Sequence, residues 1–175
     1  MAKKVKKKTA KEKEIAEHKK MIRSIFRQSG FERFPKFADK EFNFKGQISD
    51  IDDFWVFENV LVCCEYTTHN TSKRIGTHLK NKKIIFDKIQ DNVEDFCEFL
   101  FEKDKDLKDA LLSDYDINEI ELRIVYCSRH FFESNYKLNV PNPVYFDYPE
   151  LVRDNQNTLG LEPVSYTHLT LPTKA

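Results

Sequence analysis

At 175 residues, 40% hydrophobic and 13% aromatic, the chain suits one α/β domain with a sizeable core and is not a disordered linker. Formal net charge is zero, yet residues 1–30 hold 11 Lys and Arg against 3 Asp and Glu, leaving 18 against 26 in the remainder. No run of 18 apolar residues is present, which excludes a transmembrane helix, and the N-terminus lacks the apolar stretch of a secretory signal.

In chain order, MAKKVKKKTAKEK (1–13) is the densest basic run and predicts a flexible arm. It is either a solvated extension or a contact for nucleic-acid phosphates. EIAEHKKMIRSIFRQSG then spaces Ile15, Ile22, Ile25 and Phe26 on one helical face, with Gly30 as a natural C-cap. DKEFNFKG alternates Phe42 and Phe44 with polar neighbours and predicts a short strand. The stretch DIDDFWVFENVLVCCEYTT (50–68) reads as a β-hairpin. THNTSKRIGTH reads as loop, entering a helix from about Ile75 to Ile89.

A second helix in NVEDFCEFLFEKD gathers Val93, Phe96, Phe99 and Leu100, and DLKDALL predicts a short third. IELRIVYCS reads as a buried strand, and NPVYFDYP as another, ended by Pro149. The expected fold is α/β: helix, three-strand meander, helices, strand, in a mixed sheet flanked by helices. Cys63, Cys64, Cys97 and Cys127 form no C-x-x-C pair and show no zinc spacing, so buried free thiols in a reducing cytoplasm are expected. Cys63 and Cys64 are adjacent on a strand and point to opposite faces.

The last segment, PVSYTHLTLPTKA, breaks in composition from everything before it. VSYTHLTLPT resembles one translated frame of a sequencing-transposon adapter, so residues 164–175, with Tyr166 and His168, are expected to be an artefact and carry no functional weight. Residues 14–153 are then the folded domain, and 154–163 the start of a continuation into a further domain of the same chain.

Within the hairpin, a two-residue turn at Glu58-Asn59 pairs Phe57 with Val60, Val56 with Leu61 and Phe54 with Cys63. Continued outward, it sets Asp52 opposite Glu65 and Asp50 opposite Thr67, all on one face. Trp55, Phe57, Val60 and Val62 lie on the other face, as core rather than a base-stacking surface. These acids are either ordinary polar residues at a strand end or a site. Carboxylates so opposed share a proton or hold a cation, and their oxygens suit Mg²⁺ or Mn²⁺.

The D-I-D series, followed 13 positions after Asp52 by an acid ending an apolar strand, resembles the PD-(D/E)XK superfamily of restriction endonuclease-like nucleases. The likeness runs from about Glu14 to Cys127. More narrowly, DKEFNFKG, DIDDFWVFENVLVCCEYTT, HLKNKKIIFDKI and YCSRH resemble the N-terminal part of bacterial DGQHR-domain proteins, associated with DNA phosphorothioation and phage defence. No D-G-Q-H-R occurs in the chain.

The resemblance implies Asp52 and Glu65 as metal ligands, with Glu17 on the first helix as an auxiliary acid, and DNA as the partner. It implies Lys at the position of Thr67, where a hydroxyl carries no charge to polarise a phosphate. Either a lysine has migrated to a following element, with Lys73, Lys80 and Lys83 as candidates and Lys80 the choice, or the site binds without cutting. His78 and Lys82 share a helix face at i, i+4. The expected activity is Mg²⁺-dependent phosphodiester hydrolysis, and the alternative an inactive nuclease-fold module that grips DNA or a protein.

Overall fold

A computed structural model of the chain describes residues 9–130 and the backbone of residues 143–146. The basic segment before residue 9, Pro149, and the expected continuation and adapter segments lie outside the described residues.

Helix α1 spans Ala10–Gln28 and so takes in four residues assigned above to the arm. A capping box starts it: the Thr9 N–H donates to Glu12 Oε2 at 2.7 Å, and the Glu12 N–H donates to Thr9 Oγ1 at 3.2 Å. It stops where Gly30 turns left-handed at φ 86°. There the Gly30 N–H reaches the Arg27 carbonyl and the Phe31 N–H the Phe26 carbonyl, a Schellman closure. A Cβ at Gly30 would also sit 3.2 Å from the Phe57 ring.

Next come β1 (Glu32–Arg33), β2 (Phe42–Phe44), β3 (Gln47–Ser49), β4 (Asp53–Phe57) and β5 (Val60–Thr67). They are followed by α2 (Ser72–Gln90), α3 (Val93–Phe101), α4 (Lys105–Leu112), a 3-10 turn at Ile117–Glu119, β6 (Glu121–Ser128) and β7 (Pro143–Phe146). The main sheet has strand order β1-β4-β5-β6-β7. Its first two pairings are antiparallel; β5 with β6 and β6 with β7 are parallel. The mixed sheet flanked by helices is as expected, but one strand of the meander is not. Phe42 and Phe44 do not lie in this sheet. They form a separate hairpin with β3, turned by Lys45 and Gly46, both at positive φ. The strand beside β4 is Glu32–Arg33, too short to show a period.

The sheet is the middle of three layers. On one face α1 packs Ile22, Ile25 and Phe26 against Trp55, Val62, Cys64 and Cys127. Phe26 stacks on Trp55 with ring centroids 5.0 Å apart, so Trp55 is core as expected. On the other face α2, α3 and α4 cover Phe54, Leu61, Cys63 and Ile124. Phe42 and Phe44 bring the small hairpin onto Phe96 of α3. Cys63 and Cys64 enter opposite cores, and all four cysteines are buried and unbridged. Helix α2 begins at Ser72, three residues before the expected Ile75, because the polar SKR stretch is its first turn. No helix among the described residues is long and apolar enough to cross a membrane.

Candidate active site

The β4–β5 hairpin has the expected register, from Phe57 opposite Val60 to Asp53 opposite Cys64. Glu58 takes a left-handed φ of 52° to make the turn, and the Asn59 side-chain amide donates to the Glu119 carbonyl at 2.6 Å. The ladder ends at Asp53, and Asp52 stands one step beyond it, across from Glu65. Asp52 Oδ2 accepts the Tyr66 N–H at 2.8 Å, taking the place a strand carbonyl would have held.

The two neighbouring aspartates have opposite fates. Asp53 points into the α1 face, fully buried, and holds Arg23 at 2.6 Å, Arg33 at 2.5 Å and the Tyr66 hydroxyl at 2.8 Å. That is a closed structural cluster, with its charge compensated and its oxygens bonded. Asp52 faces the other way, where its Oδ1 meets the Lys19 ammonium of α1 at 2.7 Å. Lys19 also bridges to Asp39 at 2.5 Å. Burial, then the Glu65 charge, then a hydrogen bond with Asp39 push the Asp52 carboxyl up to about 7, against the pull of Lys19 and the Tyr66 N–H. Asp39, the more exposed of the two, moves the opposite way, so the proton belongs on Asp52.

Glu65, on the same face as Tyr126 of β6, is only 4% exposed. Its Oε1 receives Lys82 at 3.1 Å and His78 Nε2 at 3.3 Å. His78 Nδ1 lies 2.6 Å from the Tyr126 hydroxyl, so its ring is held between strand and acid. Lys82 is buried too and also donates to the Asp50 carboxylate at 2.8 Å and the Asp50 carbonyl at 2.7 Å. Burial pulls its ammonium down, but Glu65 and Asp50 outweigh that and keep it charged.

The lysine on α2 that meets the acids is therefore Lys82, not Lys80. Lys80 is exposed on α2, and no contact joins it to Asp52 or Glu65 among the described residues. Lys83 is committed to Asp87 at 2.5 Å, and Lys73 lies on the rim of a separate cleft. Thr67 is buried beyond Glu65, its hydroxyl accepting the His69 N–H at 3.2 Å; it brings no charge. Glu17 is exposed on α1, while the next two residues, His18 and Lys19, turn to the strands. Sequence reasoning missed Lys19 and passed over Lys82. The signal for both was i, i+4 spacing: Lys19 and Arg23 face Asp52 and Asp53, while His78 and Lys82 face Glu65.

Carboxylate oxygens such as those of Asp52 and Glu65 are the donor type that hard divalent cations take. Glu65 Oε2 is buried without a hydrogen-bond partner, which costs about 1–3 kcal/mol for a polar atom and more for a charged one. Among the described residues no third His, Cys, Asp or Glu joins the pair into a full protein cage. Two carboxylates with waters completing the shell is the usual way Mg²⁺ is held. Comparison with family models, with curated proteins and with solved structures returned no match, so the chemistry of these side chains carries the functional reading.

Proposed function

We propose that the chain is a metal-dependent nuclease domain of restriction endonuclease-like architecture, acting on DNA phosphodiester bonds. The order of α1, the antiparallel β1, β4 and β5, the helices and the parallel β6 fits that architecture. The observation that carries the reading is a buried lysine, Lys82, set 3.1 Å from Glu65 on the face that Glu65 and Asp52 share. It provides the fixed positive charge that Thr67 lacks.

Asp52 and Glu65 are the residues to hold Mg²⁺ or Mn²⁺. When bound, the ion supplies an acidified water and neutralises charge growing on the phosphate. Lys82 is restrained by Asp50, so its ammonium is oriented before substrate arrives. His78, wedged between Tyr126 and Glu65, fixes which Glu65 oxygen stays free. Lys19 balances Asp52 while no cation is there.

The test is nicking of supercoiled DNA by the full chain with Mg²⁺ or Mn²⁺. Asp52→Asn and Glu65→Gln each abolish it, and Lys82→Met lowers it by about 100-fold or more. Undiminished cleavage by both acid variants removes this site from the reaction. One observation favours the second reading, a module that binds DNA without cutting: Lys19 and Lys82 already compensate the two acids. Metal-independent binding with no cleavage in any divalent ion is its signature. The bacterial DNA-modification or phage-defence setting implied by the sequence resemblance suits either.

A further inference from the structure

Beside the acids lies a cleft of about 660 Å³ lined by Lys11, His69, Lys73, Arg74, His78 and Asn81. A smaller one of about 290 Å³ adjoins it, sharing Lys11, His69 and His78 and adding Thr67, Thr68 and one acid, Glu12, which is engaged in the cap of α1. Two helices contribute cationic groups, Lys11 from α1 and Lys73 and Arg74 from the first turn of α2, and the β5–α2 connection adds the His69 imidazole. Among the described residues, no ion pair engages Lys11, Lys73 or Arg74. The groups are close enough that His78, Lys11 and Arg74, after burial, lower the proton affinity of His69.

The arrangement runs against ordinary helix electrostatics. The first turn of α2 contains no acid, Thr71 makes no side-chain cap bond, and Lys73 and Arg74 sit at the positive end of the helix dipole. Such a pile of like charge costs free energy unless an anion is brought to it. His78 belongs both to this cleft and to Glu65, so whatever occupies the cleft lies next to the acids.

We infer that this cleft is an anchoring subsite for a backbone phosphate of a DNA strand, adjacent to the bond presented at Asp52 and Glu65. The inference rests on the nuclease reading for what happens next door, but not for binding itself. The positioning groups are Lys11, Lys73 and Arg74, with His69 as a hydrogen-bonding wall. Because they meet phosphate rather than base edges, the subsite is indifferent to sequence.

The experiment is fluorescence anisotropy of the full chain with a labelled single strand of about 20 nucleotides, in EDTA, across a salt titration. Lys73→Ala with Arg74→Ala, both exposed, is expected to weaken binding about tenfold at ~0.1 M salt and flatten the log–log salt slope by about 1.4. Lys105→Ala with Lys108→Ala, which removes the same charge from exposed positions on α4, leaves both unchanged. Equal losses in the two double variants, or none in either, overturn the subsite. If cleavage needs Asp52 and Glu65 yet the Lys73/Arg74 variant binds as the parent does, the subsite fails alone. If no variant or parent cleaves but that variant still loses binding selectively, the subsite stands and the nuclease reading fails.

Discussion

Replacing Asp52 by Asn is expected to stabilise the metal-free protein at high pH, and the size of the gain follows from its surroundings. The carboxyl is raised from 3.8 to about 7, with burial as the main cause and Glu65 second. For an acid so raised, the native state binds more protons than the unfolded chain between those two values. Stability from this group is therefore complete below 3.8 and is lost as pH climbs to about 7. Three pK units correspond to about 4 kcal/mol, a ceiling because Asp39 shares the proton. Asparagine keeps an acceptor for the Tyr66 N–H without the charge. Urea unfolding of both proteins at a series of pH values, in EDTA, should give curves that coincide near pH 4 and part by about 2–4 kcal/mol near pH 8. Added Mn²⁺ should close or reverse the gap by stabilising the parent alone, increasingly from pH 6 to pH 8 as the competing proton leaves. A variant less stable than the parent at pH 8 in EDTA would refute the account of Asp52 as a strained, cation-seeking acid.

Two further outcomes are expected from the frame around the site. His18 is buried with Nε2 on the Cys127 carbonyl at 3.0 Å, and burial lowers it from 6.5 to about 4. Its contribution is full above pH 6.5 and is lost as pH falls toward 4, amounting to about 3 kcal/mol; His18→Gln should flatten that limb of the pH–stability profile. Glu58→Gly should raise the urea midpoint by the equivalent of about 0.5–1 kcal/mol with m unchanged, because φ 52° is a conformation glycine enters freely.

The part of the site that lies on strands was legible because strand periodicity is rigid. Once the turn is set at Glu58-Asn59, every residue from Asp52 to Glu65 has an assigned face, and the ladder agrees out to Asp53 and Cys64. What sits on helices was harder. Lys80, Lys82 and Lys83 differ only by rotation about α2, and which one is buried depends on where β3 and Asp50 come to rest. The apolar face of α2 is short, with Ile75, Leu79, Ile85, Phe86 and Ile89 leaving a gap that Lys82 fills with its stem. The start of α1 was hidden by composition: a lysine-rich run reads as an arm, while T-x-x-E at Thr9 and Glu12 marks a helix start. The edge strand Glu32–Arg33 gave no pattern at all, since two residues have no period; its partner β4 and the Arg33 bond to Asp53 hold it.

Lys19 and Arg23 stand one turn apart on α1 and grasp Asp52 and Asp53, two consecutive residues that exit on opposite sides of the sheet. The first helix is thus a clasp over the open end of the hairpin. A shortened version of the protein that discards it would open Asp53 to water with only Arg33 and the Tyr66 hydroxyl to hold it, and would take Lys19 away from Asp52. Any trimming at the N-terminal end must therefore keep α1 with its cap at Thr9.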